Sequence, residues 1–334
     1  MLTDAFGRTI DYLRISLTEL CDFRCVYCVP AEGLPPLKPR SELLTRAEIA
    51  RFVTLAGTLG ITRIRLTGGE PLLREDILDI VKELKKIKSV EDLSITTNGS
   101  RLTQLVRPLK EAGLDRLNIS LDSLIAARFE EVTRSRAYRS VIEAVYLALE
   151  EGFPVKLNAV AMKGLEEDEI VQFLRMAYYH PFEVRFLEFM PLCGSAWGAD
   201  LVIKIDDIRR IAEKHFTLDE EPHRTGRVAQ VFRIRGGKGK VGFIGSLSES
   251  FCNDCSRIRL TADGRIRPCL FSDCEVSVGA LLKGNAPDEK IIESIRLAAA
   301  VKPKGNNFLE KPFNAEEYAG LSFAENPMIR RIGG

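Results

Sequence analysis

The chain has little histidine, no surplus of charge and no long apolar run, and each absence narrows what it can do. Its 48 Lys+Arg stand against 47 Asp+Glu, a net of +1. That balance disfavours a protein that coats a polyanion, and equally a disordered acidic chain, so an anionic ligand must be held by local clusters of Arg and Lys. No stretch approaches the ~20 apolar residues that span a bilayer. Residues 1–17 lack the basic start, apolar stretch and cleavage site of a signal peptide. The expectation is a soluble, cytoplasmic protein that binds neither membrane nor nucleic acid. The three histidines, His180, His215 and His223, stand in no ligand motif, so any metal chemistry here is thiolate chemistry. No internal repeat or low-complexity tract is visible.

What the chain does have is length, apolar content and cysteine. With 334 residues, 45% of them hydrophobic, it can bury a sizeable core and make about two domains of roughly 100–200 residues each. Seven of its eight cysteines fall into two groups, Cys21, Cys25 and Cys28, then Cys252, Cys255, Cys269 and Cys274, with Cys193 alone. In a reducing compartment such clusters read as metal ligands or catalytic thiols more readily than as disulfides.

Strand and helix patterns alternate over the first 220 residues. Residues 29–41 are rich in Pro and Gly and read as a loop. Thr45 with Glu48 is a capping-box signature, followed by Ile49, Phe52, Val53 and Ala56 at helical spacing. Ile77, Ile80, Val81 and Leu84 mark the next helix, and further helices are predicted near 124–133, 138–151 and 166–179. Strands are predicted at 12–17, 64–66, 93–97, 117–121, 155–160 and 184–190. Six strand-to-helix steps imply parallel pairing, hence an α/β fold of the open or partly closed barrel type. Beyond residue 220 the pattern changes. Residues 228–234 and 240–244 flank Arg235-Gly236-Gly237-Lys238-Gly239, and 257–261 and 265–267 flank Ala262-Asp263-Gly264, two hairpin signals. The reading is a partial barrel over 1–220 and a smaller mixed region over 221–334.

Polar residues interrupt the barrel strands. Asn118 and Ser120 share one face of their strand, Lys156 and Asn158 share one face of theirs, and Arg65 and Arg185 sit among apolar neighbours. A cation there is costly unless paired or solvated. Buried ion pairs are one explanation; the other is a polar, anion-receiving cavity near the C-terminal ends of the strands, where parallel α/β folds place ligands.

Cys21-x-x-x-Cys25-x-x-Cys28 directly follows the first strand. Three thiolates on a short loop can wrap a cubane iron–sulfur cluster and leave one iron open to chelate a substrate or cofactor. A zinc site wants four ligands, and no fourth lies nearby in sequence. Reduced core cysteines are the remaining reading. The second group places Cys252, Cys255 and, after thirteen intervening residues, Cys269 around an arginine-rich stretch that includes Arg257, Ile258 and Arg259. Cys274 as a fourth ligand would make a zinc-ribbon-like site.

The cysteine spacing, with Tyr27 before the last cysteine, resembles the radical S-adenosylmethionine (SAM) superfamily, and Thr67-Gly68-Gly69-Glu70-Pro71 at a strand end supports the match. Physically, the glycines would let backbone approach a ligand closely, and Pro71 would start the next helix. The resemblance narrows, essentially end to end, to the GTP 3′,8-cyclase family. It runs from Asp11-Tyr12-Leu13-Arg14-Ile15-Ser16 through both cysteine motifs, Ser120-Leu121-Asp122, Met162-Lys163-Gly164 and Glu188-Phe189-Met190-Pro191 to the terminal Gly333-Gly334. It implies an incomplete six-stranded (β/α)6 barrel closed by the C-terminal region. It implies two 4Fe-4S clusters, one on Cys21, Cys25 and Cys28 and one on Cys252, Cys255 and Cys269, with SAM as cofactor. SAM contacts would come from Tyr27, Gly69, Ser120 and Met190. GTP contacts would come from Arg14, Arg65, Thr96, Lys156, Arg257, Ile258 and Arg259, with Arg257 and Arg259 also in the catalytic set. Arg185 joins the anion set from its strand position. In the family the Gly-Gly tail reaches the active site; a frayed terminus is the plainer reading. Cys193 and Cys274 have no role in the resemblance and read as free thiols. The implied reaction is the conversion of GTP to (8S)-3′,8-cyclo-7,8-dihydroguanosine 5′-triphosphate, a lyase step early in molybdenum cofactor biosynthesis. The implied partners are an electron donor such as flavodoxin or ferredoxin and a downstream pyranopterin-forming enzyme, with the chain a monomer or homodimer. A peptide-modifying radical SAM maturase would carry more C-terminal cysteines, and an iron–sulfur or zinc nucleic-acid-binding module sits poorly with the +1 charge.

Overall fold

The computed structural model describes residues 1–29, 36–192, 197–222, 226, 228–249, 251–272 and 274–305. The capping box forms as its spacing predicts. Thr45 Oγ1 accepts from Glu48 N at 3.3 Å and Glu48 Oε2 accepts from Thr45 N at 2.7 Å, which starts α1 (Arg46–Thr58). Ile77, Ile80, Val81 and Leu84 form the buried face of α2 (Ile77–Lys85). The predicted strands are β1 (Tyr12–Ser16), β2 (Arg63–Thr67), β3 (Asp92–Thr97), β4 (Arg116–Ser120), β5 (Val155–Ala161) and β6 (Glu183–Glu188), parallel neighbours in chain order. Between them run α3 (Leu102–Glu111), α4 (Ala126–Thr133), α5 (Tyr138–Glu150) and α6 (Glu167–Tyr179). α3 is the helix that the apolar pattern does not announce: it carries Pro108, and only Leu102, Val106 and Leu109 are buried on it. No described helix is long and apolar enough to cross a membrane.

The C-terminal region joins both edges of this sheet. After α7 (Ile205–His215) and the short β7 (Leu218–Glu220) comes the predicted hairpin of β8 (Gln230–Ile234) and β9 (Lys240–Ile244), with β9 parallel to β6. The second predicted hairpin, β10 (Arg257–Leu260) and β11 (Arg265–Arg267), places β10 parallel to β1. β12 (Val276–Ser277), α8 (Gly279–Lys283) and α9 (Asp288–Ala300) complete the described chain. The sheet order is β12-β11-β10-β1-β2-β3-β4-β5-β6-β9-β8-β7, so eight parallel strands run from β10 to β9. Among the described residues β9 and β10 are not hydrogen-bonded to each other. Among the described residues the partial barrel is therefore widened at both edges and not closed by strand pairing between them.

The two faces of these strands differ in chemistry. Leu13, Ile64, Leu93, Leu117, Leu157, Val184 and Ile258 face the helices and are buried in one core that also takes in Phe52, Phe129, Phe173 and Phe186. Their neighbours in sequence face inward and are polar. Register aligns Arg259 with Arg14, Arg14 with Arg65 and Arg65 with Ser94. It likewise aligns Asn118 with Lys156 and Asn158 with Arg185. A parallel barrel packed on both faces would show continuous apolar runs; here the inner face is wet chemistry instead of core.

Candidate active site

The cysteine loop is fixed from two sides. Leu17 N donates to Thr67 O at 2.8 Å, Gly69 N to Thr18 O at 2.7 Å and Glu70 N to Leu20 O at 2.7 Å. A Cβ on Gly69 would lie 2.1 Å from Leu20 O, and one on Gly68, at φ +139°, 2.5 Å from Thr18 O. The glycines allow a close backbone approach to Thr18–Leu20, the run-in to Cys21. Pro71 likewise opens a short 3-10 turn (Pro71–Leu73), and α2 begins only at Ile77. Buried Glu70 accepts from Thr97 Oγ1 at 2.7 Å, Asn98 N at 2.7 Å and Leu72 N at 3.0 Å. Asn98 Nδ2 in turn donates to Asp22 Oδ1 at 2.8 Å and stands 3.8 Å from Cys21 Sγ. On the other side, Val26 N donates to Val132 O at 2.9 Å. The Tyr27 hydroxyl donates to Asp122 Oδ2 at 2.7 Å, and Asp122 Oδ1 accepts from Val160 N at 3.0 Å. This end is acidic. Burial raises Glu70 to about 7 and Asp122 to about 6. It also pushes the Cys21 thiol up to about 12 and the Cys25 thiol well above its ordinary value.

A cavity of about 490 Å³ runs from this loop along the inner faces of the strands. Tyr27, Gly69, Ser120 and Met190 line it beside Cys21, Cys25 and Cys28. Arg14, Arg65, Thr96, Lys156 and Arg185 line its middle, and Arg257 and Arg259 border Cys252, Cys255 and Cys269 at the far end. Ile258 does not line it; its side chain lies in the apolar core. The cations do not gather at the C-terminal ends of the strands. Lys156 is second of seven in β5, and Arg65 and Arg185 are third in their strands. Because no apolar layer fills the barrel, the cavity extends inward toward the strand starts.

Nine cationic side chains line this cavity against three carboxylates, Glu70, Asp92 and Asp122. Some are paired. Lys156 Nζ donates to Glu183 at 2.8 Å, Arg185 Nε to the same carboxylate at 2.6 Å, and Arg116 Nε to Asp92 at 2.7 Å. Burial, and then the charge of Arg185, lowers Lys156 to about 7. Burial opposes ionisation of Glu183, yet Arg185 and Lys156 outweigh it and hold the carboxyl at about 2. Burial lowers Arg65 to about 10; it donates to Ser94 Oγ at 3.3 Å and lies 5.4 Å from the Tyr12 ring centroid. Arg63 stacks on the same ring at 5.1 Å. Tyr12 Oη and Thr96 Oγ1 are buried without a hydrogen-bond partner.

At the far end, a 3-10 turn (Cys252–Asp254) presents Cys252 just before Cys255 and β10, and Cys269 follows β11. Arg257 Nη2 approaches Cys255 Sγ at 3.7 Å. Burial would raise the Cys255 thiol, but Arg257 and Lys302 outweigh it and bring it down to about 6. Cys274 is exposed and does not line the cavity. Among the described residues no three His, Cys, Asp or Glu side chains converge on a point that one metal ion could occupy. Cys21, Cys25 and Cys28, and likewise Cys252, Cys255 and Cys269, present their side chains to the cavity, and three thiols with no fourth beside them among the described residues are the donor set a cubane cluster uses. Cys193 and Gly333-Gly334 lie outside the described residues.

Several residues of this site escape sequence reasoning, among them four cavity-lining side chains. Tyr12, Arg63 and Arg116 each precede an inward residue by two, the strand period that puts them on its face, so that signal was available. Lys302 had none: it lies 33 positions from Cys269, past the end of α9.

Residues 15–177 match the Radical SAM superfamily and residues 182–308 match Molybdenum Cofactor Synthesis C. A GTP 3′,8-cyclase of Thermodesulfovibrio yellowstonii is 42% identical over 313 residues, 93% of this chain and 97% of that protein. Molybdenum cofactor biosynthesis protein 1 of Bos taurus is 42% identical over 305 residues, 91% of this chain and 48% of its own length, so the chain spans about half of that relative. The fold is similar to that of Streptococcus suis SuiB bound to S-adenosylmethionine, with a TM-score of 0.59 at 17% identity over 86% of this chain and 68% of that one. A relative so similar over nearly its whole length settles the assignment: the chain belongs to the GTP 3′,8-cyclase family of radical SAM proteins.

Proposed function

We propose that this protein is a radical SAM lyase that converts GTP to (8S)-3′,8-cyclo-7,8-dihydroguanosine 5′-triphosphate, early in molybdenum cofactor biosynthesis. The observation that carries the reading is one cavity with a cysteine trio at each end and nine cations along it. Cys21, Cys25 and Cys28 would hold one 4Fe-4S cluster, and Cys252, Cys255 and Cys269 a second, each leaving one iron without a protein ligand. When bound, the first cluster and SAM supply one-electron chemistry that ends in hydrogen-atom abstraction from the substrate.

The chain's own part is binding and placement. Gly69, Ser120, Tyr27 and Met190 would seat SAM at the acidic end, where Glu70 and Asp122 suit a ligand carrying positive charge. Arg14, Arg65, Lys156, Arg185, Arg257 and Arg259 would hold the triphosphate, with bidentate guanidinium contacts matched to phosphate oxygens. Thr96, with its buried unpartnered hydroxyl, offers one more polar contact. The second trio would pin the base while the cations pin the phosphates, so the ribose 3′ carbon and guanine C8 are brought together. Positioning of this kind lowers a barrier without a histidine acid or base. The same proposal includes an electron donor such as flavodoxin or ferredoxin, a downstream pyranopterin-forming enzyme and a reducing, cytoplasmic compartment. It assigns SAM work to residues 1–220 and the second cluster to 221–334, with GTP contacts drawn from both.

GTP deuterated at the ribose 3′ position tests the reading. Its label should appear in 5′-deoxyadenosine. Productive turnover with the label retained in the nucleotide would overturn it.

A further inference from the structure

Lys302 is 3% exposed, and its ammonium reaches no described carboxylate. Its hydrogen-bond partners are two main-chain carbonyls, Arg257 O at 2.8 Å and Pro268 O at 2.7 Å. Those carbonyls belong to the two arms that carry Cys255 and Cys269, two residues after the first cysteine and one before the second. The segment holding Lys302 is itself clamped to the third arm. The Arg8 guanidinium donates to Cys252 O at 2.7 Å, Pro303 O at 2.6 Å and Lys304 O at 2.9 Å. One short stretch, 302–304, thus ties together the main chains of all three cysteine arms.

A buried cation with only carbonyls around it is costly unless an opposite charge is near. Burial lowers Lys302, and the like charges of Arg257 and Arg8 add to that, while the two cysteine arms it ties, those of Cys255 and Cys269, act in the opposite direction. In the same neighbourhood half-buried Arg257 adds a second cation, its Nη2 3.7 Å from Cys255 Sγ. Such an excess of positive charge beside a thiol trio matches a group that is negative when bound, as a thiolate-held iron–sulfur cluster is.

We propose that Lys302 is a positioning and charge-compensating residue of the second cysteine site, holding the Cys255 and Cys269 arms at cluster spacing and stabilising the reduced, more negative state of the group bound there. This rests on the reading of Cys252, Cys255 and Cys269 as cluster ligands. It acts through the protein frame and through charge, as groups behind metal ligands do, and it touches no substrate.

The test uses full-length chain in which Cys21, Cys25 and Cys28 are Ala, so that only the second site can load. Iron and sulfide content, loss of iron to a chelator, and the midpoint potential of the cluster are measured anaerobically for Lys302, Lys302→Met and Lys302→Arg. The Lys302 chain should hold four irons. Lys302→Met should lose iron several-fold faster and titrate at a more negative potential, while Lys302→Arg, which keeps the charge, should stay close to the parent in potential. Equal potentials and equal iron loss for Lys302 and Lys302→Met would overturn the inference alone. Should Lys302→Met fail to load, a Lys302→Arg chain with the potential shifted as far as charge removal predicts would overturn it too. If the Lys302 chain itself takes up no iron, the second-cluster reading falls and the inference falls with it.

Discussion

The two cysteine trios face one cavity from opposite electrical surroundings. Cys21 and Cys25 sit among Glu70, Asp22 and Asp122, and burial there pushes their thiols up. Cys255 sits beside Arg257 and Lys302, and its thiol comes down to about 6 despite burial. The same residue type is thus tuned in two directions by what stands next to it. One end suits a ligand with positive charge, the other end and the middle suit a polyanion. A cavity polarised in this way can orient two different ligands head to head without any residue that recognises both.

The comparison breaks most sharply at the cysteines. Cys25→Ala should abolish reductive SAM cleavage under anaerobic dithionite while the far-end site still assembles. Cys255→Ala should do the reverse, leaving SAM cleavage and removing the cyclised product. Assay of 5′-deoxyadenosine and product in both variants checks this, and full 5′-deoxyadenosine formation by Cys25→Ala contradicts the assignment of the first trio.

Next in size are the cations. Replacing Arg65, Lys156, Arg257 or Arg259 singly by Ala should weaken GTP by roughly 10- to 150-fold, from about 1.5–3 kcal/mol per charge-assisted contact, and spare uncoupled SAM cleavage. Unchanged calorimetric affinity in all four would place the triphosphate elsewhere.

A smaller effect follows from Lys156. In the unliganded chain it is protonated below about pH 7 and loses its charge above it, while Glu183, at about 2, stays ionised throughout. A polyanion favours the protonated lysine. Affinity for GTP should therefore fall as pH rises through 7, by up to about tenfold per unit for one linked proton, with proton uptake on binding. Lys156→Arg should remove the dependence.

The smallest predicted effect is at Tyr12, whose ring separates Arg63 from Arg65 and whose hydroxyl is buried without a partner. Tyr12→Phe keeps the ring and loses the hydroxyl; it should cost about 1 kcal/mol of GTP binding, roughly fivefold. Unaltered affinity would assign the hydroxyl no part in the site.

Most of the fold was legible because its signals are local: a capping box at Thr45, helical spacing in α2, glycine-marked turns between β8 and β9 and between β10 and β11. α3 was obscured by Pro108 and a thin apolar face. The edge-to-edge pairing of β10 with β1 and β9 with β6 joins segments far apart in sequence, and no local pattern encodes it. In the site, Arg65, Lys156 and Arg185 stood out as cations in strands, although their depth in the barrel did not. Gly69 was visible as a motif, but what it packs against was not, since the clash with Leu20 O exists only once β1 and β2 pair. Asp122, Glu183 and Lys302 work through partners remote in the chain, which a single sequence does not reveal.

The central claim is that two cysteine trios hold two clusters at the ends of one cavity. Iron, sulfide and zinc analysis of the anaerobically purified chain tests it most directly. The account predicts eight irons and eight sulfides per chain and no zinc, falling to four irons when Cys252, Cys255 and Cys269 are replaced by Ala. Four irons in the unaltered chain, or zinc retained by the Cys252, Cys255 and Cys269 site, would contradict it.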